Sequence, residues 1–99
     1  MSNIELMNIF GNLRKHAVQN GTMLTSVVSI EECSELQKEL TKFLRTDSEG
    51  DKTNLTEEMA DVYICILMLQ VTYGISNDEF EMMFRKKLDR TLRKGCSEC

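Results

Sequence analysis

Ninety-nine residues, of which 41% are hydrophobic and none is proline, allow one small globular domain and exclude a disordered chain. The net charge of −4 argues against a general nucleic-acid binder. There is no signal peptide and no apolar run long enough to span a membrane, so a cytoplasmic protein with four reduced cysteines is expected.

Apolar residues recur at helical spacing, and no strand-like alternation persists, so the chain reads as all-α with four segments in a single domain over residues 1–99. The first helix is predicted over residues 3–19, with Ile4, Leu6, Met7, Phe10, Leu13 and Val18 as its apolar positions. Asn20-Gly21 should end it, because glycine readily takes the left-handed conformation that follows a helix. The second is predicted over residues 25–45 and carries Val27, Val28, Ile30, Leu36, Leu40, Phe43 and Leu44. A polar loop over residues 46–52 follows. The third helix should start with Asn54 as its cap and Glu57 as the capping-box partner, run to residues 71–73 and stop at Gly74. The fourth opens on Ser76-Asn77-Asp78-Glu79, a second capping box, and runs to Lys94, where Gly95 should close it.

The third helix is apolar around most of its circumference after Asp61 (Val62, Ile64, Ile66, Leu67, Leu69, Val71), and such a helix should be buried nearly all round. In so short a chain this calls for a partner subunit, a dimer or a dimer of dimers. Met59, Val62, Tyr63 and Ile66 imply that the turn bearing the acids lies close to the core. Cys33 and Cys65, inside helices, read as small core residues, and the seven methionines as core and interface filler.

Two acidic clusters stand out: Glu31-Glu32-Cys33-Ser34-Glu35 and Glu57-Glu58-Met59-Ala60-Asp61. Glu32 with Glu35, and Glu58 with Asp61, are three residues apart and share a helical face. Two such helices packed together would converge four carboxylates, which repel one another and raise one another's pKa unless a cation compensates. Hard oxygen ligands of this number suit Mg²⁺, with Mn²⁺ as the alternative, and such a site usually works on phosphates. Glu57 points about 100° away from Glu58. From Arg85 to Lys94 six basic residues face Asp89 alone, a local charge of +5 against −9 for the rest of the chain. An acidic centre with a basic arm fits metal plus phosphate, although cations also favour a helix C-terminus for their own sake.

The paired motif, Glu31-Glu32-x-x-Glu35 followed after 22 residues by Glu58-x-x-Asp61, resembles the signature of the MazG-like all-α nucleoside triphosphate pyrophosphohydrolases. The likeness covers the second and third helices well, and the first and fourth by length and order only. It implies a four-helix bundle-like protomer, a homodimer or homotetramer, and Mg²⁺-dependent hydrolysis of a nucleoside triphosphate to monophosphate and pyrophosphate, as in nucleotide pool sanitation. Position by position, Glu32, Glu35, Glu58 and Asp61 would ligate the metal. Glu31 would be a supporting acid, with both Glu31 and Glu35 open as the group that takes the water's proton. Lys87 and Arg90, one turn apart, would meet the polyphosphate, with Lys86, Arg93 and Lys94 as alternatives. His16, Gln19 and Thr25 would line the base pocket. Where the family often shows an asparagine on the last helix, this chain has Asp89 or Thr91.

Other chemistries find less support. One histidine weighs against a di-iron bundle built on Glu-x-x-His pairs, and neither acidic motif is followed by the required histidine. Cys96-Ser97-Glu98-Cys99 lacks two ligands for structural zinc unless an oligomer brings tails together. There is no glycine-rich phosphate loop. Two alternatives remain open: a phosphoribosyl-ATP pyrophosphohydrolase, against which Tyr63 is not followed by the histidine common there, and a non-catalytic helical nucleotide-binding or interaction module.

Overall fold

The computed structural model describes residues 1–45 and 50–98, without the side chains of 95–98. Every regular element among these is helical: α1 (Asn3–Leu44), α2 (Lys52–Thr72) and α3 (Asn77–Glu98).

Ser2 caps α1, its hydroxyl accepting the Glu5 N–H at 3.1 Å. A straight helix of 42 residues would be about 63 Å long at 1.5 Å per residue, yet the whole molecule extends only 43 × 32 × 26 Å. The difference is made at Gly21, whose φ of 80° and ψ of 166° leave the helical region. Only glycine adopts this conformation without strain. The Asn20-Gly21 stop expected from the sequence is thus real, but α1 resumes at once instead of at residue 25. Two limbs result, residues 3–20 and 22–44. Residues of both limbs line a common cavity with α2.

The second limb and α2 form an antiparallel hairpin. Ser26 Oγ and Tyr73 Oη are hydrogen bonded at 2.6 Å at its open end, and the Phe43 ring rests against Gly50 at the closed end. The polar loop expected over 46–52 falls outside the described residues for 46–49. Asp51, not Asn54, caps α2: its carboxylate accepts the Thr53 N–H at 2.8 Å, which starts the helix at Lys52 and places Asn54 inside it. Glu57 accordingly loses the capping-box role.

Gly74, with φ of 67°, ends α2 as expected. Ile75 donates to the Gln70 carbonyl at 2.8 Å and Gly74 to that of Val71 at 3.4 Å, the paired bonds of a Schellman motif. The Ser76 box also forms, with Glu79 N–H on Ser76 Oγ at 3.1 Å and Ser76 N–H on Glu79 Oε1 at 3.4 Å. Gly95 does not close α3, which continues to Glu98. A glycine inside a helix costs only about 1 kcal/mol relative to alanine, too little to force a stop. Side chains of the Cys96/Cys99 pair lie outside the described residues.

The interior is small and unusually polar. Its buried apolar residues are Ala17, Cys65, Leu67 and Met68, alongside buried Thr25, Ser29, Glu39 and Gln70. Many large apolar side chains stay outside. Met59 is 56% exposed, Tyr63 60% and Ile66 36%, so the acid-bearing turn of α2 does not approach a core on that side. Cys33 is exposed too, because it points off the stripe that faces α2. Helix α2 is therefore not buried all round: one face packs on α1 and the Met59–Tyr63–Ile66 face is bare. Helix α3 is not packed on α1 and α2, and every residue from Tyr73 to Lys94 is exposed. None of the described helices is long and apolar enough to cross a membrane.

Candidate metal centre

On the second limb of α1 the stripe that meets α2 runs Thr25, Ser29, Glu32, Leu36, Glu39, spaced by four, three, four and three residues. On α2 the opposing stripe includes Glu58, Asp61, Cys65 and Met68. Helical periodicity alone thus sets Glu32 against Glu58 and Asp61. One carboxylate oxygen from each of these three lies within 4.8 Å of the other two.

The electrostatics are those of crowded anions. The Glu32 carboxyl is raised above its ordinary value of 4.5, first by partial burial and then by Asp61, which is both a neighbouring charge and a hydrogen-bond partner. Glu58 is raised by burial first, then by Glu32 and Asp61. Glu58 Oε2 is buried without a hydrogen-bond partner. An acidic oxygen held in this way, inside a set of three, fits a hard divalent cation accepting oxygen ligands. Three carboxylates also outnumber any cationic partner they have: no described ion pair reaches Glu32, Glu58 or Asp61.

Of the other expected site residues, Glu35 lies one turn along from Glu32, outside the trio of oxygens but close enough to raise both Glu32 and Glu58. Its Oε1 accepts from Lys38 Nζ at 3.2 Å. Glu31 is exposed and adds to the charge felt by Glu32. Glu39 was not foreseen. It is buried, takes Lys42 Nζ on Oε1 at 2.9 Å, leaves Oε2 without a partner, and contributes to the raised Glu58. The signal for it was its seven-residue spacing from Glu32, two turns along one face.

His16 and Thr25 come together at a cavity of about 410 Å³ between the two limbs and α2. Leu13, Val28, Ile64 and Met68 supply its apolar walls, and Asn12, Asn20 and Ser29 further polar groups. Thr25 Oγ1 is buried there without a partner. Cys65 also lines it, and burial pushes that thiol up, partly countered by a hydrogen bond with Ser29, so it is a neutral wall and not a nucleophile. The cavity adjoins the acids: Cys65 is one turn beyond Asp61, and Ser29 one turn before Glu32. Gln19 is elsewhere, on the outer surface beside Arg14, Lys15 and Val18. Lys87 and Arg90 are exposed on α3, away from the α1–α2 packing.

Comparisons with family models, curated proteins and solved structures found no match for this chain.

Proposed function

We propose that the chain is a metal-dependent nucleoside triphosphate pyrophosphohydrolase, converting a ribo- or deoxyribonucleoside triphosphate and water to the monophosphate and pyrophosphate. The observation that carries this reading is the set of Glu32, Glu58 and Asp61 oxygens within 4.8 Å of one another, one of the three residues offering a buried oxygen without a partner. Three such anions kept near a helix interface cost stability unless a cation joins them.

Glu32, Glu58 and Asp61 hold Mg²⁺ or Mn²⁺, with Glu35 completing the set from the next turn. The bound cation supplies charge neutralisation on the phosphate oxygens. Glu35 or Glu31, at the rim, takes the proton of the attacking water, and the bond from the α-phosphorus to the bridging oxygen breaks. The adjoining cavity, apolar-walled with amide, imidazole and hydroxyl groups converging, suits a flat heterocycle, and its size is within the usual range for small-molecule sites. His16 and Thr25 contact the base, while Lys87 and Arg90 meet the polyphosphate once the bundle is complete. The assembled unit is a homodimer or homotetramer.

The test is pyrophosphate release from a panel of standard and modified nucleoside triphosphates plus phosphoribosyl-ATP, in Mg²⁺, Mn²⁺ or EDTA. Metal-dependent release from one or a few nucleotides is expected. Silence across the panel from folded protein overturns the catalytic reading and favours a binding module.

A further inference from the structure

The described chain is too open to be complete by itself. It exposes 7975 Å², where a compact monomer of 11.4 kDa exposes about 5800 Å². Its radius of gyration is 16.2 Å, against about 13 Å for a compact domain of this length. The excess surface is about 2200 Å², well beyond the roughly 800 Å² per partner of a standard stable interface.

Two apolar faces account for much of it. On α3, Phe80, Phe84, Leu88 and Leu92 recur every four residues with Met83 beside them, all exposed, while Lys86, Arg90 and Arg93 lie on the other side. On α2, Met59, Tyr63 and Ile66 form a second exposed stripe facing away from α1. The connection between these helices is short and bonded at both ends. The Schellman bonds of Gly74 and Ile75 fix the exit from α2, and the Ser76–Glu79 box fixes the entry to α3. The chain direction they set holds α3 off its own α1–α2 pair. Charge adds a preference for what α3 meets. The arm carries +5 over residues 85–94 and the remainder of the chain −9, so the arm is attracted to another copy's body.

We propose that α3 is an exchanged arm: the Phe80–Phe84–Leu88 stripe of each copy docks on the Met59–Tyr63–Ile66 face of a second copy, and the exchange is reciprocal. The dimer gains two equivalent apolar contacts related by a twofold axis, and the net positive charge of each arm is attracted to the partner's acidic body. The docking holds whether or not the acids bind metal.

Sedimentation equilibrium in EDTA tests it, which keeps the result separate from metal binding and turnover. The wild-type chain is expected at twice 11.4 kDa, with dissociation favoured by salt. Phe84→Asp and Tyr63→Asp should each give helical monomers, and mixing the two should restore a heterodimer, since one intact arm still meets one intact face. Hydrogen exchange on the wild-type chain needs no variant: α3 amides should be protected at high concentration and lose protection on dilution. A monomeric wild type with protected α3, meaning closure on its own body, overturns the proposal. So do helical variants that remain dimeric, or a mixture that does not associate.

Discussion

Glu32 on α1 faces Asp61 on α2 across the helical hairpin, and one carboxylate oxygen of each lies within 4.8 Å of the other and of a Glu58 oxygen. Crowding of this kind raises the proton affinity of Glu32 and Glu58, and a bound cation would compete for the same oxygens. From this contact follows an exchange: metal in, proton out.

Millimolar Mg²⁺ should therefore raise the melting temperature at neutral pH, and EDTA should reverse the rise. At a hundredfold excess over Kd the gain is about 2.7 kcal/mol, or on the order of 10–20 °C for a chain of this size. Asp61→Asn should abolish the gain while leaving the metal-free protein at least as stable as the wild type, because it removes one of the mutually repelling anions. Calorimetric melts with and without metal check this. A full Mg²⁺ response in the variant would remove Asp61 from the ligand set.

Glu35→Gln separates metal holding from water activation. Glu35 stands outside the trio and is tied to Lys38 at 3.2 Å, so the variant should keep most of the Mg²⁺-induced stabilisation. Its turnover should fall by roughly 10²–10⁴, the usual weight of a general base. Glu57→Gln, exposed and directed off the site, should retain full activity. Pyrophosphate release, measured beside the melts, distinguishes these outcomes. Equal loss in both measurements for Glu35→Gln would make it a ligand only.

Local features of the chain were legible where both partners lie within one turn. The Ser76–Glu79 box and the Gly74 stop needed no tertiary information, and neither did the shared face of Glu58 and Asp61. The α2 start is not legible because Asp51 and Asn54 are both good caps ahead of the same apolar run, and only the Asp51 bond to Thr53 decides between them. Glu39 is hidden in the sequence because it sits beside Lys38 and Lys42 in what reads as a solvated charge run. The bareness of Met59, Tyr63 and Ile66 is invisible to periodicity: a helix apolar on several sides states that burial is needed, not which molecule provides it.

Gly50 is required by the Phe43 ring. A Cβ built on Gly50 would lie 2.6 Å from ring atoms Cγ and Cδ1, closer than side-chain carbons approach, and these are not the free end of a flexible chain. Gly50→Ala should cost about 1–3 kcal/mol through overpacking. Adding Phe43→Leu should recover part of the loss, because the smaller side chain can turn aside. Urea melts of the single and double variants give the coupling. Additive losses would mean the ring is not what Gly50 accommodates.

The acids also fix how stability depends on pH, with a sign opposite to that of salt-bridged carboxylates. Glu32 and Glu58 hold protons more tightly in the folded chain than at their ordinary value of 4.5, Glu58 through burial first and then the charges of Glu32 and Asp61. Below about 4.5 their contribution to metal-free stability is fully present. As pH rises through the raised folded values, the folded chain must release protons into a crowded site, and the contribution is lost. In EDTA the wild type should thus lose stability toward neutral pH relative to Glu58→Gln, which cannot ionise at that position. In Mg²⁺ the order should invert, since the ion binds the deprotonated carboxylates and competes with protons for them. Urea melts of both proteins from pH 4.5 to neutral, in EDTA and in Mg²⁺, read the difference directly. A difference that stays flat with pH in EDTA would show that Glu58 titrates as an ordinary exposed acid, and the strain that a cation relieves would not exist at this site.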